Sequence, residues 1–201
     1  MHASLHYMKT FYVCSYGGCG SKMLCKALER HGNVEHVHSR MPPRKLEFIG
    51  RRGGGTTYIE WFNGVQIPEE KIDDYYVIYI YKNPVRSILS RFTDPLHLDH
   101  IQTNRNTTIQ DVVDSSKDLY GVKEFYGNYT QPGNRNYSIY CVKYEDIFEK
   151  QDELSELLGI GKLGIEKRET NRVHKDYDKL TEIYKDLIET MEKNEFITVN
   201  G

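Results

Sequence analysis

The chain predicts an α/β fold with a mainly parallel sheet, on three observations. Apolar, strand-like runs alternate with segments of helical spacing along its 201 residues. Phe11–Cys14 passes through a loop holding Gly17, Gly18 and Gly20 into Met23, Leu24, Ala27 and Leu28, which share one helix face. Tyr75–Tyr81 is continuously apolar and aromatic rather than alternating, as in a strand covered on both faces.

Taken in order, residues 1–9 form a lead-in, 10–14 the first strand, 15–20 the loop and 21–31 the first helix, capped near Gly32. Val34–His38 reads as a second strand, and Pro42-Pro43 ends any regular structure beyond it. A β-hairpin insertion is expected over 45–67, with strands at Lys45–Ile49 and Thr56–Phe62 around the glycine-rich turn 50–55. Arg51 and Arg52 make that turn either a mobile loop or an anion-contacting flap. Pro68 begins a single helical turn.

After the strand 75–81, Lys82-Asn83-Pro84 opens a helix over 85–92. A polar loop spans 93–108, with His97 and His100 solvated. One helical tract is expected over 109–129, burying Val112, Val113, Leu119, Val122, Phe125 and Tyr126. Tyr137–Lys143 is a further strand. Leu154, Leu157 and Leu158 mark the next helix, closed by Gly159, and one amphipathic helix spans 174–193.

The length suits a single domain over 1–201, and no repeat or linker divides it. A net charge of −2 gives no sign of a nucleic-acid binder. No run approaches the roughly 20 apolar residues that span a bilayer. The first residues lack the regions of a signal peptide, so a cytoplasmic protein is expected. Cys14, Cys19, Cys25 and Cys141 match neither a disulfide framework nor zinc-site spacing, and free thiols are expected.

Strand, glycine loop and helix N-terminus is an arrangement that binds phosphate, though an ordinary strand–turn–helix corner looks the same in sequence. In a parallel sheet, ligands bind beyond the carboxyl ends of the strands. That rule places the 15–22 loop, His38, Lys82-Asn83 and Tyr144-Glu145-Asp146 along one rim. Against the pattern of a kinase using ATP and magnesium, Gly20-Ser21-Lys22-Met23 has lysine and hydroxyl out of register. Glu145 or Asp146 could still hold the magnesium.

Four segments in order carry a more specific resemblance: the loop 15–23, the exit at His38, Tyr79–Ser90 and Val142–Ile147. Together they cover about half of the chain and resemble the sulfotransferase family, whose donor is 3′-phosphoadenosine 5′-phosphosulfate. The resemblance implies a three-layer, P-loop-like fold and transfer of a sulfuryl group to an acceptor hydroxyl or amine, with no metal. It implies that Lys82, at the strand end, and Ser90, eight residues on, grip the 3′-phosphate of the donor. It implies that Tyr16, Gly17, Gly18, Cys19, Gly20, Ser21, Lys22 and Met23 cradle the 5′ end, the Ser21 hydroxyl on the 5′-phosphate. Gly18 stands where the family carries Lys or Arg, and Lys22 is the nearest substitute, with Arg51 or Arg52 in reserve.

By the same resemblance His38 is the base for the acceptor. An imidazole pKa near 6.5 suits that task. His36 is expected on the same side of the strand, since alternate residues share a face. Glu145 and Asp146 are then structural, Asp146 as a helix N-cap. The hairpin, the 93–108 loop and the tyrosines of 120–140 are candidates for the acceptor wall or for core. Lys167–Arg172 is the candidate segment to close over the donor. A catalytically degenerate nucleotide-binding module is the non-enzymatic alternative.

Overall fold

A computed structural model describes residues 9–43, 46–48, 65–66, 75–92, 97–98, 101, 103–167 and 174–201. Their main sheet has five strands in the order β2-β1-β5-β6-β7. These are β1 (Lys9–Cys14), β2 (Gly32–Val37), β5 (Tyr75–Tyr81), β6 (Ile139–Lys143) and β7 (Ile197–Asn200). The first four run parallel, and β7 is antiparallel to β6. A separate antiparallel pair joins β3 (Glu47–Phe48) to β4 (Val65–Gln66). The hairpin expectation thus holds for its first strand. Its second strand lies at 65–66, and Thr56–Phe62, with Arg51 and Arg52, falls outside the described residues.

Period-two alternation along the strands sorts the core into two layers. Phe11, Val13, Ile78, Ile80 and Val142 pack with α1 (Ser21–Leu28) and α5 (Ile147–Leu157). Tyr12, Cys14, Val77, Tyr79, Tyr81 and Cys141 pack with α2 (Pro84–Arg91), α3 (Ile109–Ser115), α4 (Val122–Thr130), α6 (Tyr177–Ile183) and α7 (Lys185–Lys193). Helices therefore cover both faces of the sheet. None among the described residues is long and apolar enough to cross a membrane.

Several sequence expectations are corrected. The tract 109–129 is two helices, because Ser116 turns left-handed at φ 53 and Asp118 caps a new start by accepting from Val122 N and Lys123 N. Leu119 falls in the break and is 39% exposed, and Leu157 is 41% exposed on α5. The tract 174–193 divides at Tyr184, whose φ of −103 and ψ of 11 interrupt the helix. Tyr184 is nonetheless fully buried and donates to Asp118 at 2.7 Å, tying the division of one helix to the cap of another. Gly32 is the first residue of β2 rather than a helix cap, and a Cβ there would meet the Lys9 carbonyl across the β1–β2 pairing. Strand β7 lies in a stretch that sequence reading left unassigned.

The abundance of tyrosine, 16 in all, is largely a core property. Tyr129 stacks on Tyr79 with centroids 4.5 Å apart and on Phe125 at 5.3 Å, and Tyr16 meets Phe125 edge-on at 5.3 Å. Each hydroxyl that enters this layer needs a partner. Tyr16 donates to Tyr120 O, Tyr129 to Ser39 O and Tyr137 to Pro43 O, while Tyr81 and Tyr126 accept from Asn194. Of the tyrosines in 120–140, Tyr120, Tyr126, Tyr129 and Tyr137 are all buried core.

All four cysteines are free and buried. Burial pushes the thiols of Cys14, Cys25 and Cys141 up to about 12 from an ordinary value of 9.0, and raises that of Cys19 as well. Folded thiols thus stay protonated where unfolded ones ionise. Their contribution to stability is complete below pH 9.0, the unfolded value, and is lost as pH rises toward about 12. The melting temperature should be level near neutrality and fall steadily above about pH 9. A melting temperature unchanged through the alkaline range would contradict this burial.

Candidate functional site

The sheet order puts a topological switch between β1 and β5, because the chain leaves β1 toward β2 on one side and β5 toward β6 on the other. Such a switch opens a crevice beyond the strand ends. The loop 15–20 follows β1 at this crevice, and Lys82-Asn83 follows β5.

Gly17, Gly18 and Gly20 have φ of 108°, 67° and 79°. At Gly18 the reason is also steric, since a Cβ would lie 2.5 Å from Ser90 Oγ and 2.6 Å from Ser87 O. With α2 docked there, the position has no room for a longer side chain. Ser90 Oγ donates to Gly18 O at 3.3 Å and to Ser87 O at 3.1 Å, and Cys19 Sγ lies 3.5 Å from Ser87 Oγ. At Gly20, a Cβ would run into the ring of Tyr144. The same ring lies under Lys82, whose Nζ is 4.5 Å from its centroid, and meets Phe148 edge-on.

Sequence reasoning passed over one basic residue. The Arg91 side chain packs against Gly17, with Cζ 2.8 Å from where a Cβ would stand. Ser87, Ser90 and Arg91 follow i, i+3, i+4 spacing on α2, so the face meeting the loop was legible once the helix was known. Lys22 is exposed in the first turn of α1, which starts at Gly20 without a side-chain cap. Lys22, Lys82 and Arg91 thus all stand on residues that adjoin the loop.

The loop side chains do not share one role. Tyr16 is core, 2% exposed, and burial holds its hydroxyl protonated well above the usual range. Cys19 is equally buried and donates to Gly17 O. The Ser21 hydroxyl, expected on a phosphate, is engaged by Ser15 Oγ at 2.9 Å and His36 Nε2 at 2.9 Å. The Ser21 hydroxyl thus has protein partners on two sides.

His38 follows β2 and is 2% exposed. Its Nδ1 lies 2.8 Å from the Ser15 carbonyl and 3.1 Å from Ser15 Oγ. A carbonyl accepts only, so Nδ1 carries the hydrogen. The His36 ring meets it edge-on at 4.3 Å, as the shared strand face predicts. The segment beyond His38 is held by α4: Tyr129 donates to Ser39 O at 2.9 Å and Met41 O at 3.1 Å, and Asn128 to Arg40 O at 3.1 Å. Arg40 pairs with Glu124 at 2.8 Å.

On the far side of the rim, Asn83 caps α2 through Arg86 N and donates its own N–H to Glu145 at 2.9 Å. Asp146 stands at the N-cap of α5 without capping it and pairs instead with Lys143 at 2.9 Å. A cavity of about 370 Å³ opens beside Asn83, Arg86, Glu145, Tyr177 and Met191. His97, expected to be solvated, is half-buried and donates through Nδ1 to the Arg91 carbonyl at 3.1 Å. His100 and 168–172 lie outside the described residues. The loop thus meets Ser90 at Gly18 and His38 at Ser15, and Lys82 lies over the Tyr144 ring that adjoins Gly20; no protein-family model, curated protein or solved structure matches the chain.

Proposed function

We propose that the protein is a sulfotransferase of P-loop-like fold that uses 3′-phosphoadenosine 5′-phosphosulfate and transfers its sulfuryl group to a hydroxyl or amine. The observation that carries this reading is the docking of α2 on the loop, with Ser90 Oγ on Gly18 O and Lys82 at the adjacent strand end. One cation and one hydroxyl beside a phosphate loop suit a nucleotide with two separate anionic ends. The 5′ end occupies the loop, where backbone N–H groups and Lys22 meet its charge. The 3′-phosphate lies toward Lys82 and Ser90. A cavity within the size range of ligand pockets lies beside Asn83, the residue after Lys82.

In the reaction, the acceptor oxygen forms a bond to sulfur as the bond from sulfur to the bridging phosphate oxygen breaks. The acceptor proton goes to Nε2 of His38, whose Nδ1–H is fixed on the Ser15 carbonyl. Loop N–H groups and cations receive the negative charge that grows on the leaving oxygen.

Thermal shift with adenosine 3′,5′-bisphosphate, AMP, and ATP with magnesium tests the donor. The bisphosphate at 100 times its dissociation constant should stabilise by about 2.7 kcal/mol, with AMP well behind. Preference for ATP with magnesium would replace the reading with a kinase. Equal shifts with bisphosphate and AMP would remove the role of Lys82 and Ser90, and no shift with any ligand would leave a degenerate module.

A further inference from the structure

Asn83 ties together two residues of opposite charge. Its side chain accepts from Arg86 N at 3.2 Å, and its own N–H donates to Glu145 Oε1 at 2.9 Å. Arg86 and Glu145 both line the cavity of about 370 Å³ at the ends of β5 and β6. Among the described residues no ion pair joins them, and Arg86 pairs with no other carboxylate. Asn83 occupies one oxygen of Glu145, and an ionised carboxylate has capacity for further donors. Two other charges in the wall, Lys143 and Asp146, neutralise each other at 2.9 Å, and Lys143 also donates to Asn194 O. Glu192 adds a further carboxylate from α7.

The remaining wall is apolar. Tyr177 opens α6, and Ile188 and Met191 stand three residues apart on one face of α7. Met191 is buried core, and Tyr177 and Ile188 pack against that same core. The cavity thus offers a cation, a carboxylate and an apolar body to one ligand. Its volume lies at the small end of ligand pockets, about 300–1,000 Å³.

We propose that this cavity binds a small zwitterion with an apolar side chain, of the class of an apolar α-amino acid. The ligand carboxylate pairs with Arg86 and its ammonium with Glu145, each through charge-assisted hydrogen bonds. The side chain lies against Tyr177, Ile188 and Met191, where a thioether and a ring adapt to aliphatic or aromatic groups. A nucleoside carries no charge to meet Arg86 or Glu145. In the sheet, β1 and β5 stand between β2 and β6. At about 4.8 Å per strand, β6 is roughly 14 Å from the strand that leads to His38. The site is therefore distinct from the proposed base, and it does not depend on the sulfotransferase reading.

Titration of the full chain, labelled with nitrogen-15, tests the proposal with three probes. These are L-phenylalanine, phenethylamine, which lacks the carboxylate, and 3-phenylpropionate, which lacks the ammonium. L-Phenylalanine should shift the amide signals of Asn83, Arg86, Glu145 and Met191, and each analogue should bind about tenfold more weakly. Arg86→Gln should weaken L-phenylalanine and 3-phenylpropionate about tenfold and leave phenethylamine within about twofold. Glu145→Gln, which keeps an oxygen for Asn83 N–H, should weaken L-phenylalanine and phenethylamine and spare 3-phenylpropionate. Absence of L-phenylalanine binding, shifts confined to other residues, or equal affinity for the three probes would overturn the proposal. Saturating adenosine 3′,5′-bisphosphate should leave the affinity for L-phenylalanine within about twofold. Displacement of the amino acid by the bisphosphate would give the cavity to the nucleotide and equally overturn the proposal. A bisphosphate that fails to bind at all would sink the donor reading alone, since the amino-acid titration is read without it.

Discussion

On the proposed sulfotransferase function, replacing His38 by alanine should lower sulfuryl transfer by about 10²–10⁴-fold while leaving bisphosphate affinity within about twofold. The loss follows from chemistry at one nitrogen. The Nδ1–H bond to the Ser15 carbonyl, 2.8 Å long, orients the ring, and alanine offers no imidazole at that position. Donor binding should survive because the loop, Lys82 and Ser90 belong to other elements. Ser15 would keep its backbone bond to Val37 O at 3.0 Å, so the loop stays anchored to β2. The measurement is initial rate with the acceptor that wild type sulfates, beside a bisphosphate titration of both proteins. Retained turnover would reject His38 as the base; equal losses of rate and donor affinity would make it a donor ligand.

Tyr129→Ala should destabilise the protein by about 3–5 kcal/mol, among the largest effects expected of one core residue. Its ring is fully buried against both Tyr79 and Phe125, and its hydroxyl donates to both Ser39 O and Met41 O. Alanine removes the packing and leaves two carbonyls without that donor. Tyr129→Phe keeps the stack and should cost only about 1–3 kcal/mol. Urea unfolding of the two variants separates the packing from the tether. The phenylalanine variant should also lose activity beyond its loss of stability, since the released segment starts one residue after His38. A loss below about 1 kcal/mol for the alanine variant would mean that this layer is not packed as described.

Much of the fold was legible because single elements follow local rules. β1, β2, β5 and β6 were read within a few residues from apolar runs, and α2 from Asn83-Pro84, which does cap and open it. Helix divisions were not legible. Tyr184 continues the apolar periodicity of 174–193, yet it sits at the break, because its hydroxyl is drawn to Asp118 on another element. β7 carries Thr198 and Asn200 among its four residues, and what makes it a strand is pairing with β6. Asp146 had a cap's position and residue type, but Lys143 competes for its carboxylate.

The candidate site divides in the same way. Sequence alone determined the glycine loop, the strand ends that carry Lys82 and His38, and the hydroxyl of Ser90, because spacing along one chain fixes which residues reach the end of a strand or one face of a helix. Tertiary structure alone decided that Gly18 has no room for a side chain, that Arg91 lies on Gly17, and that Ser21 serves His36 and Ser15. Each of these is a contact between residues distant in sequence or a competition among hydrogen-bond partners. Neither is encoded in local spacing, since both depend on how closely α2 and β2 approach the loop.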